Sequence, residues 1–172
     1  MGLDMYLTVS EYVSRTDRSS GIRNGTTPVP NDLFTVLAMR HPAFVDPNSF
    51  SGISVEYPAG YWRKANAVHG WFVQNVQDGR DECQKSYVPW DKLEELKTAC
   101  YAVLDSRNNS LVSTGEVAEE VGLVPQAGFF FGGQDFDEWY FEDLRHTVEI
   151  IERLMRVKVW EGPFDIFYQA SW

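Results

Sequence analysis

From Leu3 to Val13 the apolar residues Leu3, Met5, Leu7, Val9 and Val13 fall on odd positions, with Asp4, Thr8 and Ser10 between them. A period of two is what a strand with one buried face requires, because successive side chains point to opposite faces. The far end mirrors it: after the breaker pair Gly162-Pro163, Phe164, Ile166, Tyr168, Ala170 and Trp172 alternate with Asp165, Phe167, Gln169 and Ser171. The two patterns predict a sheet that uses both ends of the chain. Ile53 to Tyr57 reads as a short strand that Pro58-Ala59-Gly60 turns into a helix, and Lys85 to Trp90 as a further short strand.

Between the ends the period changes to 3.6. Tyr61, Ala65, Val68, Phe72 and Val76 share one stripe of a helix expected over Tyr61 to Val76. Asp91 with Glu94 three residues on forms a capping box ahead of the apolar face Leu93, Leu96, Cys100, Val103 and Leu104. Asp135 is the expected N-cap of a third helix. Asp137 and Glu138 fall in its first turn, and Tyr140, Leu144, Thr147, Ile151 and Leu154 on its inner face. Glu149 with Arg153 and Glu152 with Arg156 are spaced for i,i+4 pairs, and a short helix is expected around Glu116 to Glu120. Residues 15–58 are largely loop-rich, with a weak apolar patch from Leu33 to Met39. The expectation is an α+β fold: one domain over 1–172, a mainly antiparallel sheet including both terminal strands, and about three helices.

Composition narrows the function classes. A net charge of -10 opposes sequence-independent binding to phosphate backbones. Cys83 and Cys100 form no CxxC pair, so neither a disulfide framework nor a zinc site is read, and a reducing cytoplasm is the expected location. There is no basic n-region with an apolar run behind it, and no apolar run of about 20 residues, so neither a signal peptide nor a membrane partner is expected. The glycines around Phe129-Phe130-Phe131 lack the Lys-Ser/Thr of a phosphate loop, and no cofactor or metal motif is found. Aromatic residues make up 15% of the chain, an excess that suits a core, a ligand pocket or a homodimer interface.

Two stretches carry candidate chemistry. In Tyr57 to Val73, the helix reading puts Trp62, Asn66 and His69 on one flank and Arg63 and Lys64 near the N-terminus. An indole, an amide and an imidazole can hold a nucleobase, while the two cations meet an anion. The bland alternative is that Trp62 fills space, Arg63 and Lys64 are solvated and His69 is a satisfied core-edge histidine. In Gly128 to Leu144, three consecutive phenylalanines cannot all face one core from a strand, which leaves Phe130 or a neighbour for a pocket or partner. The acids Asp135, Asp137, Glu138, Glu142 and Asp143 then read as dipole pairing at a helix N-terminus, a cation site or a negative docking surface. None of His41, His69 and His146 sits in a catalytic motif, and no catalytic residue is assigned.

Together the segments MGLDMYL, GYWRKANAVHGWF, GFFFG with DEWYFEDL, and FYQASW resemble a family of uncharacterised proteins encoded by tailed phages and prophages. The resemblance spans the chain and transfers no activity and no active-site residues. A phage origin implies an accessory role, such as blocking host defence. The expectation is a non-enzymatic binder of a small anionic, nucleotide-like ligand, held by Trp62, Arg63, Lys64, Asn66, His69 and Phe130, that sequesters a defence signal. One alternative is a protein-interaction inhibitor that docks the acidic face Asp137, Glu138 and Glu142 on a host protein. Another is a small nucleotide-acting enzyme with His69 as base.

Overall fold

Leu3, Met5 and Leu7 on one terminal strand and Ile166, Tyr168 and Ala170 on the other are all buried, as the alternation requires. Leu3 immediately precedes β1 (Asp4–Ser14) and the others lie within it or within β4 (Asp165–Ser171); the two strands lie side by side in a four-stranded sheet of order β2-β1-β4-β3. The outer strands are β2 (Gly52–Arg63) and β3 (Ser86–Tyr87), and β3 runs antiparallel to β4 with Ser86 opposite Tyr168. The fold is α+β, a mainly antiparallel sheet that includes both termini, packed with helices. The computed structural model describes residues 2–16, 32–40, 50–109, 111–128, 131–158 and 164–172.

The chain divides into two units. The larger comprises Met1–Val9 and Pro58–Trp172. Its helices are α2 (Asn66–Val76), α3 (Trp90–Ser106), α4 (Thr114–Glu120) and α5 (Glu138–Lys158). Its core joins β1 and β4 to Trp62, Val68 and Phe72, to Leu93, Leu96, Cys100 and Val103 on α3, and to Tyr140, Leu144, Ile151 and Leu154 on α5. The smaller unit, Ser10–Tyr57, holds α1 (Asp32–Arg40), whose Phe34 and Ala38 pack with Val13, Ile53 and Val55. Residues 17–31 and 41–49 of the segment read as loop-rich lie outside the described residues.

The structure corrects the sequence reading in four places. Tyr61, Trp62 and Arg63 are not helical: β2 continues through Pro58-Ala59-Gly60 to Arg63. Proline is tolerated there because β2 is an outer strand, where a missing N–H need not break a ladder. The chain then turns through Lys64, which takes a left-handed φ of 62°, and α2 starts at Asn66. At α3 the N-cap is Pro89 rather than Asp91. The helix begins at Trp90 after an extended Pro89, so Asp91 already lies in the first turn, where its carboxylate accepts the N–H of Lys92. The cap of α5 is Asp137 rather than Asp135, since Asp137 Oδ1 accepts the Tyr140 N–H at 3.0 Å. The i,i+4 pairs on α5 are also absent among the described residues: Glu152 accepts the Tyr101 hydroxyl, and Arg153 donates to the carbonyl of Ala59. No helix among the described residues is long and apolar enough to cross a membrane.

Candidate functional site

Strand alternation sends Trp62 inward. Its indole is 2% exposed, its Nε1 donates to Thr147 Oγ1 at 2.9 Å, and its ring packs against Phe72. It therefore presents no face for a base to stack on. His69, on the buried side of α2, is 1% exposed and bonded at both nitrogens: Nε2 to Asp81 Oδ2 at 3.0 Å and Nδ1 to the Tyr168 hydroxyl at 2.7 Å. A carboxylate only accepts, so Nε2 carries the proton and the Tyr168 hydroxyl donates to Nδ1. Burial, with Asp81 and Cys83 nearby, raises the Tyr168 phenol well above its usual range and keeps it a donor. Trp172 Nε1 donates to the other oxygen of Asp81, and Phe131 meets the His69 ring edge-on at 5.4 Å. The histidine is a structural node with every polar atom satisfied.

Asn66 is also committed. Its Nδ2 donates to the carbonyls of Phe131 (3.2 Å) and Gly133 (2.8 Å), and its Oδ1 accepts the N–H of Gln126 (2.9 Å). This one amide fastens three points of the segment between α4 and α5 to the start of α2. Gly132 comes so close that an added Cβ would lie 3.3 Å from both Cβ and O of Lys64, and its own φ is 105°. Phe130 lies outside the described residues.

Arg63, Lys64 and Asn66 do converge on one cavity of about 400 Å³, within the range of small-molecule pockets, about 300–1,000 Å³. One wall is Arg63, Lys64 and the first turn of α2, where Ala65 provides no side-chain cap and Ala67 and Val68 line the space. Uncapped N–H groups of a helix start favour negative charge. Arg63 and Lys64 are exposed and form no ion pair among the described residues. The opposite wall is the approach to α5 and its first two turns: Asp135, Asp137, Trp139, Tyr140, Asp143 and Leu144. Trp139 is 74% exposed, so its ring is open to a ligand.

Sequence reasoning did not single out Trp139, and it grouped Asp143 with the acids read as dipole pairing, a cation site or a negative surface. Desolvation, helped by Asp137 and Glu142, raises the Asp143 carboxyl to about 7. The acids do not form a cation site: among the described residues no group of three or more His, Cys, Asp or Glu side chains is placed to hold a metal. The shift has a consequence for stability. A carboxyl whose folded value is raised keeps its proton longer in the native state than in the unfolded chain, so stability falls as pH rises from about 4 to about 7 and levels off above. Asp143→Asn removes this dependence. Urea titrations should show it more stable than the parent at pH 8, by about 1 kcal/mol after allowing for partial solvent screening, and nearly equal at pH 4.

Two further groups can be placed. The Cys100 thiol is buried and pushed up to about 12 by desolvation, which leaves it without nucleophilic character at neutral pH. Glu138 accepts from Arg107 and Arg145, and these bonds hold its carboxyl down to about 2. No protein-family model matches the chain, and no curated protein and no solved structure matches it either.

Proposed function

We propose that the protein is a non-enzymatic binder of a small anionic, nucleotide-like ligand, held in the cavity between the start of α2 and the first turns of α5. The observation that carries this reading is the pairing, around one cavity of about 400 Å³, of two cations that have no ion pair among the described residues and an uncapped helix start with an open indole. The anion lies against Arg63, Lys64 and the N–H groups of Ala67 and Val68, and the base stacks on Trp139. Trp139 thus takes the role that Trp62 was expected to play, and Asn66 shapes the wall without spending its amide on the ligand. Together with the resemblance to phage-encoded proteins, this supports sequestration of a nucleotide signal as the biological role.

The docking alternative has less to support it. Of its three acids, Asp137 spends one oxygen on capping its own helix and Glu138 is paired with two arginines, so the face offers a docking partner less than its sequence suggests. The test of the favoured reading is native mass spectrometry against a mixture of nucleoside monophosphates, followed by calorimetry on Arg63→Ala. Stoichiometric adducts are expected. The variant should bind at least about tenfold more weakly with an unchanged melting temperature, because Arg63 is exposed and carries no part of the core. A folded variant that binds as well as the parent would refute the proposal.

A further inference from the structure

The two walls of the cavity differ in chemistry. The α2 wall offers donors: the Arg63 guanidinium, the Lys64 ammonium and helix N–H groups. The α5 wall offers acceptors: Asp135, Asp137, whose Oδ2 is left over after Oδ1 caps the helix, and Asp143. Asp143 makes no side-chain hydrogen bond or ion pair among the described residues. It sits four residues after Trp139 on α5, and residues at that spacing are neighbours on one helix face. A base lying on the Trp139 ring therefore presents an edge to Asp143. The backbone there is fixed, because the Thr147 hydroxyl donates to the Asp143 carbonyl at 2.7 Å and accepts from buried Trp62.

Resting on the nucleotide reading above, we infer that Asp143 is a specificity-determining residue, which selects guanine nucleotides by accepting two adjacent N–H groups from the base. A carboxylate has two acceptor oxygens and no donor, so it is matched by an edge with two neighbouring donors. Guanine supplies them in N1–H and its 2-amino group. Adenine and cytosine offer an amino group beside a ring acceptor, and uracil offers one N–H between two carbonyl oxygens that a carboxylate repels. A buried acceptor left without its donor is what gives such sites their discrimination. The preference should grow with pH, since protonation converts one oxygen of Asp143 to a donor. The groups facing it are Asp135 and Asp137 ahead of α5, Glu142 beside it on α5, and Arg63 and Lys64 across the cavity.

The experiment is calorimetric titration of the full chain with GMP, AMP, CMP and UMP at pH 6 and pH 8, repeated on Asp143→Asn and Trp139→Ala. GMP should bind at least about tenfold more tightly than UMP at pH 8, and the ratio should shrink at pH 6. Taking the ratio cancels the titration of the shared phosphate. Asp143→Asn, which presents one acceptor and one donor, should reduce the ratio to about threefold or less at both pH values. Trp139→Ala should weaken all four ligands alike, and its exposed position leaves folding intact. Equal affinities for the four bases, or a guanine preference that persists in Asp143→Asn, would overturn the inference while leaving the nucleotide site standing. Failure of all four to bind would remove both.

Discussion

His69→Ala is expected to lose about 3–5 kcal/mol of stability. Removing the ring opens a cavity beneath Phe131 and beside Tyr168, and leaves two polar partners behind. The Tyr168 hydroxyl has no other acceptor shown and is fully buried, so it bears the full cost of an unmade hydrogen bond. Asp81 retains the Trp172 indole but loses its bond to the ring. Tyr168→Phe is the smaller perturbation, about 1–2 kcal/mol, because its ring keeps its stack on Phe72 at 4.0 Å. In the double variant the two losses should not add, since each removes the same bond. Equilibrium urea denaturation of the three proteins measures this. A His69→Ala loss below 1 kcal/mol would mean that the network is ornamental and would reopen the histidine as a base.

The second large effect belongs to Asn66. Asn66→Ala should cost about 2–3 kcal/mol, less than its three hydrogen bonds suggest, because the backbone groups it releases at Gln126, Phe131 and Gly133 lie near the surface and regain water. The stronger consequence is local. With the amide gone, no other hydrogen bond among the described residues ties both Gln126 and Gly133 to α2, and the part of the cavity lining that Pro125, Gly132 and Gly133 supply loosens. Hydrogen exchange is expected to quicken over 126–133 while α3 stays protected, and nucleotide affinity should fall together with that protection. Asn66→Asp is the sharper control: it still accepts from Gln126 but turns a carboxylate oxygen on two carbonyls, so it should weaken the segment at least as much as alanine. Unchanged exchange over 126–133 in both variants would show that the segment holds its place without the amide.

How far the sequence alone could lead is clearest from particular residues. β1, β4 and the inner faces of α3 and α5 were readable because their burial repeats at the period of the element, as Leu3-Met5-Leu7 and Leu144-Thr147-Ile151 do. β2 was misread because Ala65, Val68 and Phe72 do follow a helical stripe, and Tyr61 extends it by coincidence from the strand before. Nothing in the local spacing reveals that Pro58 sits in an outer strand. Arg63 and Lys64 drew notice for their charge, but the helix expected to carry them starts only at Asn66, so Arg63 ends β2 and Lys64 makes the turn. Trp62 and His69 drew notice for the same polarity that the core in fact consumes. Trp139 and Asp143 acquire meaning only when α5 is brought against α2, some seventy residues earlier. Their four-residue spacing was the one signal available in advance.

The passage from β2 to α2 takes just Lys64 and Ala65. Each helical residue advances the helix by about 100°, so one residue gained or lost at this joint would swing His69 away from Tyr168 and Asn66 away from the segment it fastens. The core node and the cavity wall are thus phased by the same two residues. An insertion or deletion at this joint would displace the histidine node and the segment that Asn66 fastens in a single event, whereas His69→Ala and Asn66→Ala each remove one of the two.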